Sequence, residues 1–220
     1  MSLLGTGAVA IWHDIAPEGR EMFYDWHGTE HMPERLGIPG FRRGRRYIAI
    51  DADLEFFNLY EAASDAILRG DDYRTRLNNP TPWTVETVKH FRSVARSVCR
   101  VETSEGGAQG GLVATLRYDV PDADEAEVVA RLKTGSPRLL KTPGIAGVHL
   151  LIADREASGE RTTEQKARGG VNAVPRHILI VEGWGDEGPF LSSVKRAIGA
   201  SGVTAPGILG FYRLQITLTF

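Results

Sequence analysis

The sequence predicts an α+β protein built from two copies of one structural unit, and three observations carry that prediction. Residues 7–49 align with residues 111–153 over 43 positions without a gap, and eleven of these positions are identical. The prolines and glycines that restrict the backbone recur at matching places in the two segments, and both segments show the same order of strand and helix patterns. Since proline fixes φ and removes a hydrogen-bond donor, matched prolines indicate matched turns. The chain is therefore expected to carry an internal duplication.

Local pattern predicts each element of the first copy in order. Residues 7–15 are rich in strand-forming residues and predict the first strand. Pro17 suits the first turn of a helix, which is expected to run to about residue 32, where Pro33 weakens or ends it. Pro39-Gly40 predicts a turn. The order βαββαβ is completed by strands at 41–50 and 55–62, helical segments at 63–77 and 83–90, and a strand at 92–102.

The second copy repeats this order. Its strands are predicted at 111–119, 145–153, 176–184 and 207–219, and its helices at 122–140 and 188–200. The expected organisation is a first repeat at 1–104, a glycine-rich linker at 105–110 and a second repeat at 111–220. The clear difference between the copies is the segment 154–175, which is polar and glycine-rich and is expected to be a mobile surface loop.

A βαββαβ unit is ferredoxin-like, with an antiparallel sheet that carries its helices on one face and leaves the other face bare. Two such units in one chain can cover each other by packing sheet to sheet. The sequence therefore predicts an intramolecular, pseudo-dimeric α+β barrel. Its helices should lie outside, and a cavity is expected between the two sheets.

Composition argues against several classes of function. The net charge of −2 creates no strong field for nucleic acid or an anionic membrane. Cys99 is the only cysteine, which argues against an internal disulfide and a cysteine-rich zinc site. The first residues lack the basic and apolar regions of a signal peptide, and no apolar stretch is long enough to span a membrane. A cytoplasmic protein is expected. Glycine-rich nucleotide motifs and the Gly-x-Ser-x-Gly elbow do not occur in the sequence.

The densest group of reactive side chains is in the stretch WHGTEHMPERLGIPGFRRGRRY, residues 26–47. His27 and His31 are four residues apart, so on a helix they share a face and suit either acid/base work or one metal ion. A metal ion would need a third ligand, for which only His13 or Glu30 is an obvious candidate. The His-Glu-x-x-His pattern of zinc metalloproteases is also absent, so no metal site is predicted. Glu30 falls within the apolar arc of the predicted helix. It should point inward, either tuning a histidine or pairing with an arginine of 42–46.

The alignment of the copies supplies an internal comparison. Trp26, His27, Glu30 and His31 stand opposite Ala130, Arg131, Thr134 and Gly135, whereas the backbone signals around them are shared. These four side chains are thus not needed to build the unit. That difference favours a functional role, although a structural role in one copy also explains it.

The strands supply further candidates for binding a substrate. Arg43, Arg45 and Tyr47 share one strand face, and arginines inside a cavity would bind a carboxylate or phenolate; the alternative is a solvated strand or an interface. Asn58 and Tyr60 share a face of the next strand. The predicted site residues are therefore His31, His27 and Glu30 as catalytic groups, and Trp26, Arg43, Arg45, Tyr47, Asn58, Tyr60 and His13 as substrate-binding groups.

Together with the duplication, His27, His31-Met32-Pro33, Pro39-Gly40 and Tyr47 resemble the dimeric α+β-barrel superfamily, and within it the EthD-like branch. The resemblance in fold covers nearly the whole chain as two copies, whereas the motif covers only the first copy. The superfamily includes cofactor-free monooxygenases, polyketide cyclases, lactone isomerases, dehydrating enzymes, haem-binding enzymes and proteins with no known activity.

The resemblance implies a cofactor-independent enzyme that acts on a small apolar, aromatic or polyketide-like molecule by histidine-assisted proton transfer. It leaves open a non-catalytic small-molecule-binding or stress-associated protein, and haem or metal binding through His27 or His31. The expected partner is a small-molecule ligand, with neither nucleic acid nor membrane, and two such chains could pair as a homodimer.

Overall fold

The fold is a closed barrel of eight antiparallel strands. The structure is a computed structural model that describes residues 3–200 and 207–219. The strands run in the hydrogen-bonded order β1-β3-β2-β8-β5-β7-β6-β4, with β4 closing on β1. Each copy contributes four neighbouring strands in the ferredoxin-like order, which confirms the predicted fold class. The strands are β1 (Gly7–Ile15), β2 (Phe41–Asp51), β3 (Phe56–Ala62), β4 (Phe91–Gly106), β5 (Leu112–Tyr118), β6 (Ile145–Ala153), β7 (His177–Gly183) and β8 (Gly207–Thr219).

Helices cover the outer face of the barrel. The first helix of the first copy is long and covers residues 17–36. It is made of a 3₁₀ turn (Pro17–Gly19), α1 (Arg20–Trp26), a π segment (His27–His31) and α2 (Met32–Leu36). The expectation that this helix ends near Pro33 is wrong, because it continues through the proline to Leu36. The remaining helical elements are a 3₁₀ turn (Asp65–Arg69), α3 (Asp71–Asn78), α4 (Pro82–Val88), α5 (Asp122–Leu139), α6 (Arg155–Gly159), α7 (Thr163–Arg168) and α8 (Glu187–Ala200).

Side chains fill the inside of the barrel. Trp12, Tyr47, Phe57 and Tyr212 are completely buried there and belong to one apolar cluster that draws on both copies. Trp12 and Phe57 stack with ring centroids 5.0 Å apart, and Tyr47 stacks on Phe57 at 5.4 Å. The expectation of a ligand cavity between the two sheets is therefore wrong. This space is the packed core that holds the sheets together.

The π segment accommodates one residue that the second copy lacks. Its widened turn is visible in the backbone, where Met32 N–H donates to the carbonyl of His27, five residues back. The register of the strands shows this. In the first copy, β3 pairs with β1 at Asn58–Ile11 and with β2 at Tyr60–Gly44. In the second copy, β7 pairs with β5 at Leu179–Leu116 and with β6 at Val181–Val148. The two pairs of strands thus match, but the first copy uses one residue more between β1 and β2 than the second uses between β5 and β6.

Burial places this extra residue within the π segment. On the N-terminal side of the extra residue, the buried Phe23 and His27 match Val128 and Leu132 on the inner face of α5. On its C-terminal side, Met32 and Arg35 match Ser136 and Leu139. The gapless alignment is therefore one residue out of register before the π segment. The residue equivalent to His27 is Leu132 rather than Arg131.

The segment 154–175, called the insert below, is not the loop expected. It contains α6 and α7, which pack on the first copy rather than extending into solvent. Two ion pairs join it to that copy, Arg69 with Asp154 at 2.6 Å and Arg74 with Glu160 at 2.8 Å. A third pair, between Arg35 and Glu164, is described with the site. These contacts hold the insert over the helices of the first copy.

Candidate functional site

A small cavity lies in the first copy between the outer face of the sheet and the helices that cover it. Its volume is about 50 Å³. Its wall combines the outward side chains of β1, β3 and β4 with the long helix, α3, α4 and α7. It is lined by Ile11, His13, Trp26, His27, His31, Arg35, Phe41, Asn58, Tyr60, Tyr73, Leu77, Val88, Phe91, Arg96, Glu164 and Arg168. Six predicted site residues thus meet here, namely His13, Trp26, His27, His31, Asn58 and Tyr60.

His27 and Tyr60 form the central polar contact of this cavity. His27 Nε2 lies 3.1 Å from the Tyr60 hydroxyl, and both side chains are buried. Burial lowers the pKa of His27 well below its usual value, helped by Arg46, His13 and Arg35, while burial raises the pKa of Tyr60. At neutral pH the pair is therefore a neutral imidazole beside a neutral phenol. His27 Nδ1 has no hydrogen-bond partner in the part of the chain that the structure describes.

The His31 side chain lies beside this pair and makes no hydrogen bond to any described residue. Its ring centroid is 4.2 Å from that of Trp26 and 5.5 Å from that of His27. Its Nδ1 is buried and unpartnered among residues 3–200 and 207–219. Burial, then Arg35 and His27, lower its pKa well below the usual value, so His31 is also neutral at pH 7.

His13 and Asn58 form a second polar pair on the sheet. Asn58 Nδ2 is 3.0 Å from His13 Nε2, while Asn58 Oδ1 is buried without a partner in the described ranges. The rings of Phe23, Phe56 and Phe91 surround the imidazole at centroid distances of 5.2, 5.3 and 4.3 Å. Burial lowers the pKa of His13 to about 3, with a hydrogen bond to the Asp14 backbone opposing the shift.

Arginines approach the cavity from three elements. Arg35, one turn after His31, forms an ion pair with Glu164 of α7. Arg96 of β4 donates from Nη2 to the Tyr73 hydroxyl at 2.9 Å. Arg168 follows Glu164 by one turn on α7 and also reaches the wall. Guanidinium groups therefore line the side of the cavity that the insert closes.

Glu30, predicted to point inward, lies outside this group. It is half-buried and accepts hydrogen bonds from Thr81 at 2.6 Å and Thr84 at 3.4 Å, at the start of α4. Thr84 in turn accepts a hydrogen bond from Trp26 Nε1 at 3.1 Å. Because a π turn advances each side chain less far around the axis than an α turn, the residues that face inward here are His27 and His31. The α-helical arc that placed Glu30 inside does not apply.

Arg43, Arg45 and Tyr47, predicted to bind substrate, point away from the cavity into the barrel. Arg43 Nε bonds Glu61 Oε1 at 2.7 Å, and Arg45 contacts both Glu61 and Glu182 at 2.9 Å. All four charged side chains are almost completely buried. The carboxylates that these arginines were expected to bind belong to the protein itself. Arg45 thereby joins the first copy to the second across the barrel.

Four positions of the cavity are apolar in the second copy. Leu116, Leu132, Leu179 and Val181 stand where the first copy has Ile11, His27, Asn58 and Tyr60, and they form a continuous apolar cluster. In contrast, Glu182 matches Glu61, so the carboxylate inside the barrel is present in both copies. The buried carboxylate is thus duplicated, whereas the polar side chains of His27, Asn58 and Tyr60 have apolar counterparts in the second copy.

Sequence reasoning missed Arg35, Arg96, Glu164 and Arg168. Arg35 follows His31 by four residues, so its place on the same helix face was available as a signal. Arg96 faces outward beside Ile11 on the neighbouring strand, but only the strand register shows it. Glu164 and Arg168 are in the insert, where no periodic pattern indicates a contact with the first copy.

The described donor groups form no metal site with three or more ligands, and the closed cavity has no space for a haem. Within residues 3–200 and 207–219, no three His, Cys, Asp or Glu side chains are placed to hold a metal ion together. A haem bound to His27 or His31 would need space for its ring system, but Phe23 packs on His27, Trp26 packs on His31, and Tyr60 packs on both imidazoles in the closed cavity. In the same ranges, no helix combines the length and the apolar character needed to cross a membrane.

Comparisons with known proteins give similarity in structure alone. No family model and no curated protein matches the sequence. An anthrone oxidase-like protein is similar with a TM-score of 0.64 and 14% identity, covering 98% of this chain and 93% of that one. A "putative monooxygenase" from Lactobacillus acidophilus gives 0.58 and 14%, covering 97% and 96%. One from Fusobacterium nucleatum gives 0.59 and 10%, covering 99% and 96%. At these identities the likeness concerns the fold, and together with the closed barrel it shows that this chain has the dimeric α+β-barrel fold, formed here by two halves of one chain.

Proposed function

We propose that the first-copy cavity is the active site of an enzyme that removes a proton from a small aromatic substrate, with a buried neutral histidine as the base. The unpartnered Nδ1 atoms of His27 and His31 carry this proposal. A buried polar atom without a partner is costly, so two of them in one cavity suggest that a ligand completes the hydrogen bonding. The surrounding aromatic rings suit a flat, apolar molecule.

His27 is the base in this proposal because Tyr60 orients it. When His27 carries its proton on Nε2 and donates it to the Tyr60 oxygen, the Nδ1 lone pair is free to accept a proton from a substrate hydroxyl or activated methylene. The bonding electron pair stays on the substrate as an anion. Because the imidazolium and this anion form together, the site gains no net charge, although a lone imidazolium would be unfavourable there.

Reaction with O₂ is the next step favoured by the names of two structural relatives, an anthrone oxidase-like protein and a "putative monooxygenase". For a substrate with an activated methylene, the deprotonated carbon reacts with O₂, loses both hydrogens and becomes a carbonyl. One oxygen atom enters the product and the other leaves as water, so the carbon loses four electrons and O₂ gains four. A fold shared at low identity does not identify the reaction, so O₂ consumption requires its own measurement.

The cavity must enlarge before such a substrate can bind. Its volume of about 50 Å³ is below the roughly 150 Å³ that admits benzene to an engineered protein core. α7 and its Arg35–Glu164 ion pair form the part of the wall contributed by the insert. Displacement of α7 would open the site and leave the barrel intact.

The experiment follows oxygen uptake and absorbance while the protein is mixed with anthrone and with hydroxynaphthalenes. His27→Ala should reduce kcat by about 100-fold or more, in keeping with loss of a general base. Tyr60→Phe should have a smaller effect, because it leaves the base but removes the group that orients it. His90→Gln, a substitution outside the cavity wall, is the control and should retain activity.

The alternative of a non-catalytic binding protein predicts a different result. A non-catalytic binding protein would bind these compounds without proton exchange or turnover, which would refute the proposal. The proposal would equally fail if His27→Ala, shown to be folded, turned over substrate at the rate of the control.

A further inference from the structure

The arginines that line the cavity outnumber the carboxylates that could neutralise them. Three arginines line it, Arg35, Arg96 and Arg168, whereas Glu164 is the only carboxylate that the described residues place in its wall. The three histidines of the cavity are neutral at pH 7, as described above, so they do not alter this balance. We propose that the site takes an aromatic carboxylate, whose acid group binds these arginines. The inference rests on the proposed function for the location of the site, but not for the reaction.

Inside the barrel, buried guanidinium groups are paired with carboxylates. Arg43 and Arg45 both contact Glu61, and Arg117 pairs with Asp53. A buried charge is costly unless it is paired and hydrogen-bonded, so these pairings are the expected arrangement.

Arg96 and Arg168 depart from this arrangement. The Arg96 side chain is almost fully buried, yet its polar partner is the neutral hydroxyl of Tyr73. The side chain of Arg168, which is half-buried, makes no hydrogen bond or ion pair with any described residue. Both arginines line the cavity, and a bound carboxylate would supply an anionic partner for each.

Glu164 indicates how such a carboxylate could be held. It is contributed by the insert and places its carboxylate on Arg35, which is almost fully buried in the wall. Displacement of α7 to admit a substrate would separate Glu164 from Arg35. A substrate carboxylate could then take its place on Arg35 and also reach Arg96, so the ion pair that is broken would be replaced by another. A neutral substrate would leave Arg35 unpaired.

The test measures binding of 2-naphthoate and of its neutral analogue 2-naphthamide by calorimetry, with no turnover required. We expect 2-naphthoate to bind at least tenfold more tightly, as a charge-assisted contact predicts. Arg168→Gln should reduce this preference severalfold, because it removes one of the three positive charges around the bound carboxylate, whereas the affinity for the uncharged 2-naphthamide should change less. This substitution breaks no side-chain hydrogen bond in the described structure, so the variant is expected to fold.

The variant Glu164→Gln tests whether the Arg35–Glu164 ion pair occupies a ligand site or is only structural. If the substrate carboxylate replaces Glu164 on Arg35, this variant should bind 2-naphthoate severalfold more tightly than the unaltered protein. Glu160→Gln is the matched control, because Glu160 also joins the insert to the first copy, through Arg74, but does not line the cavity. It should leave the affinity unchanged.

The inference is overturned if the two probes bind equally, if neither binds at millimolar concentration, or if Glu164→Gln and Glu160→Gln behave alike. Its failure can be distinguished from that of the proposed function. His27-dependent turnover of neutral phenols without a preference for acids would refute only the carboxylate inference. Selective, Arg168-dependent binding of 2-naphthoate without turnover would support this inference and refute the enzyme.

Discussion

Burial of neutral histidines beside the sheet should make the fold sensitive to acid, and His13 allows the effect to be calculated. The perturbation is the double variant His13→Leu/Asn58→Leu, which removes the titrating ring together with its hydrogen-bond partner. When both partners of a buried hydrogen bond become apolar groups of similar size, the cost is often small. The second copy already has Leu179 at the position that matches Asn58. Near pH 8, the variant should therefore be within about 1 kcal/mol of the unaltered protein.

The magnitude follows from the pKa of His13, which is lowered to about 3 in the fold, against about 6.5 in the unfolded chain. A lowered pKa means that the unfolded state binds the proton more readily. The stability associated with neutral His13 is therefore fully present above about pH 6.5 and declines as the pH falls. At about pH 5, the unfolded state gains about 2 kcal/mol from this one histidine relative to the folded state.

The assay is urea denaturation near pH 8 and near pH 5. Between these conditions, the unaltered protein should lose about 2 kcal/mol more unfolding free energy than the double variant. Asn58→Leu alone is the control, since it retains His13 and should retain the full pH dependence. If the double variant lost as much stability as the unaltered protein, His13 would not be held neutral by burial, and the electrostatic description of the cavity would be refuted.

Three further predictions concern the barrel, a turn and the proposed base. Arg45→Met should lower the unfolding free energy by about 3–5 kcal/mol in urea denaturation, because it removes a shared partner of Glu61 and Glu182 from the buried network; a smaller loss than for the exposed Arg74→Met would contradict this. Gly40→Ala should cost about 1 kcal/mol more than Gly144→Ala. Both glycines have positive φ, +93° and +86°, but only at Gly40 would an added Cβ lie 2.2 Å from Ile67 Cδ1; equal losses would show that φ alone matters. Since the pKa of His27 is well below its usual value, kcat/KM should stay constant from about pH 8 to about pH 6; a fall centred near pH 6.5 would exclude His27 as the base.

Much of the fold could be predicted because its signals are local and occur twice. Strand β1 was expected at 7–15 and β6 at 145–153, and the structure has both at these bounds. Pro39-Gly40 and Pro143-Gly144 mark the same turn in both copies, and both glycines adopt the positive φ that such a turn favours. The helix–sheet order follows from these elements, so the barrel could be predicted without knowledge of any long-range contact.

The composition of the cavity was only partly predictable, because it depends on which face of each strand points inward. On β2 both faces carry arginines, and the inward face is decided by Glu61 and Glu182, which are distant in sequence. The insert is another case, since its polar composition is typical of a loop, whereas the structure connects it to the first copy by backbone hydrogen bonds to β4 and by ion pairs with Arg35, Arg69 and Arg74. Periodicity contains no information about either set of partners.

The π segment links the fold to the proposed site, and a single-residue deletion tests that link. Deletion of Gly28 should convert the π turn into an α turn, because α5 spans the same distance with one residue fewer and without a π turn. Gly28 has no atom within 4 Å of the position that a Cβ would occupy, so no side-chain packing is lost. α1 and α2 should keep their contacts and stability should change by only about 1 kcal/mol, whereas His27 and His31 should no longer face the cavity together.

The measurements are urea denaturation, 2-naphthoate binding and turnover. Deletion of Gly135 from α5 is the control, because a regular helix has no extra residue to lose and Leu139 would rotate out of its apolar cluster. We expect the Gly28 deletion to remain folded and to lose binding and turnover, and the Gly135 deletion to lose stability. If the Gly28 deletion bound and turned over substrate normally, the extra residue would be a neutral difference between the copies. If it unfolded as readily as the Gly135 deletion, the π turn would be a requirement of the fold and not of the site.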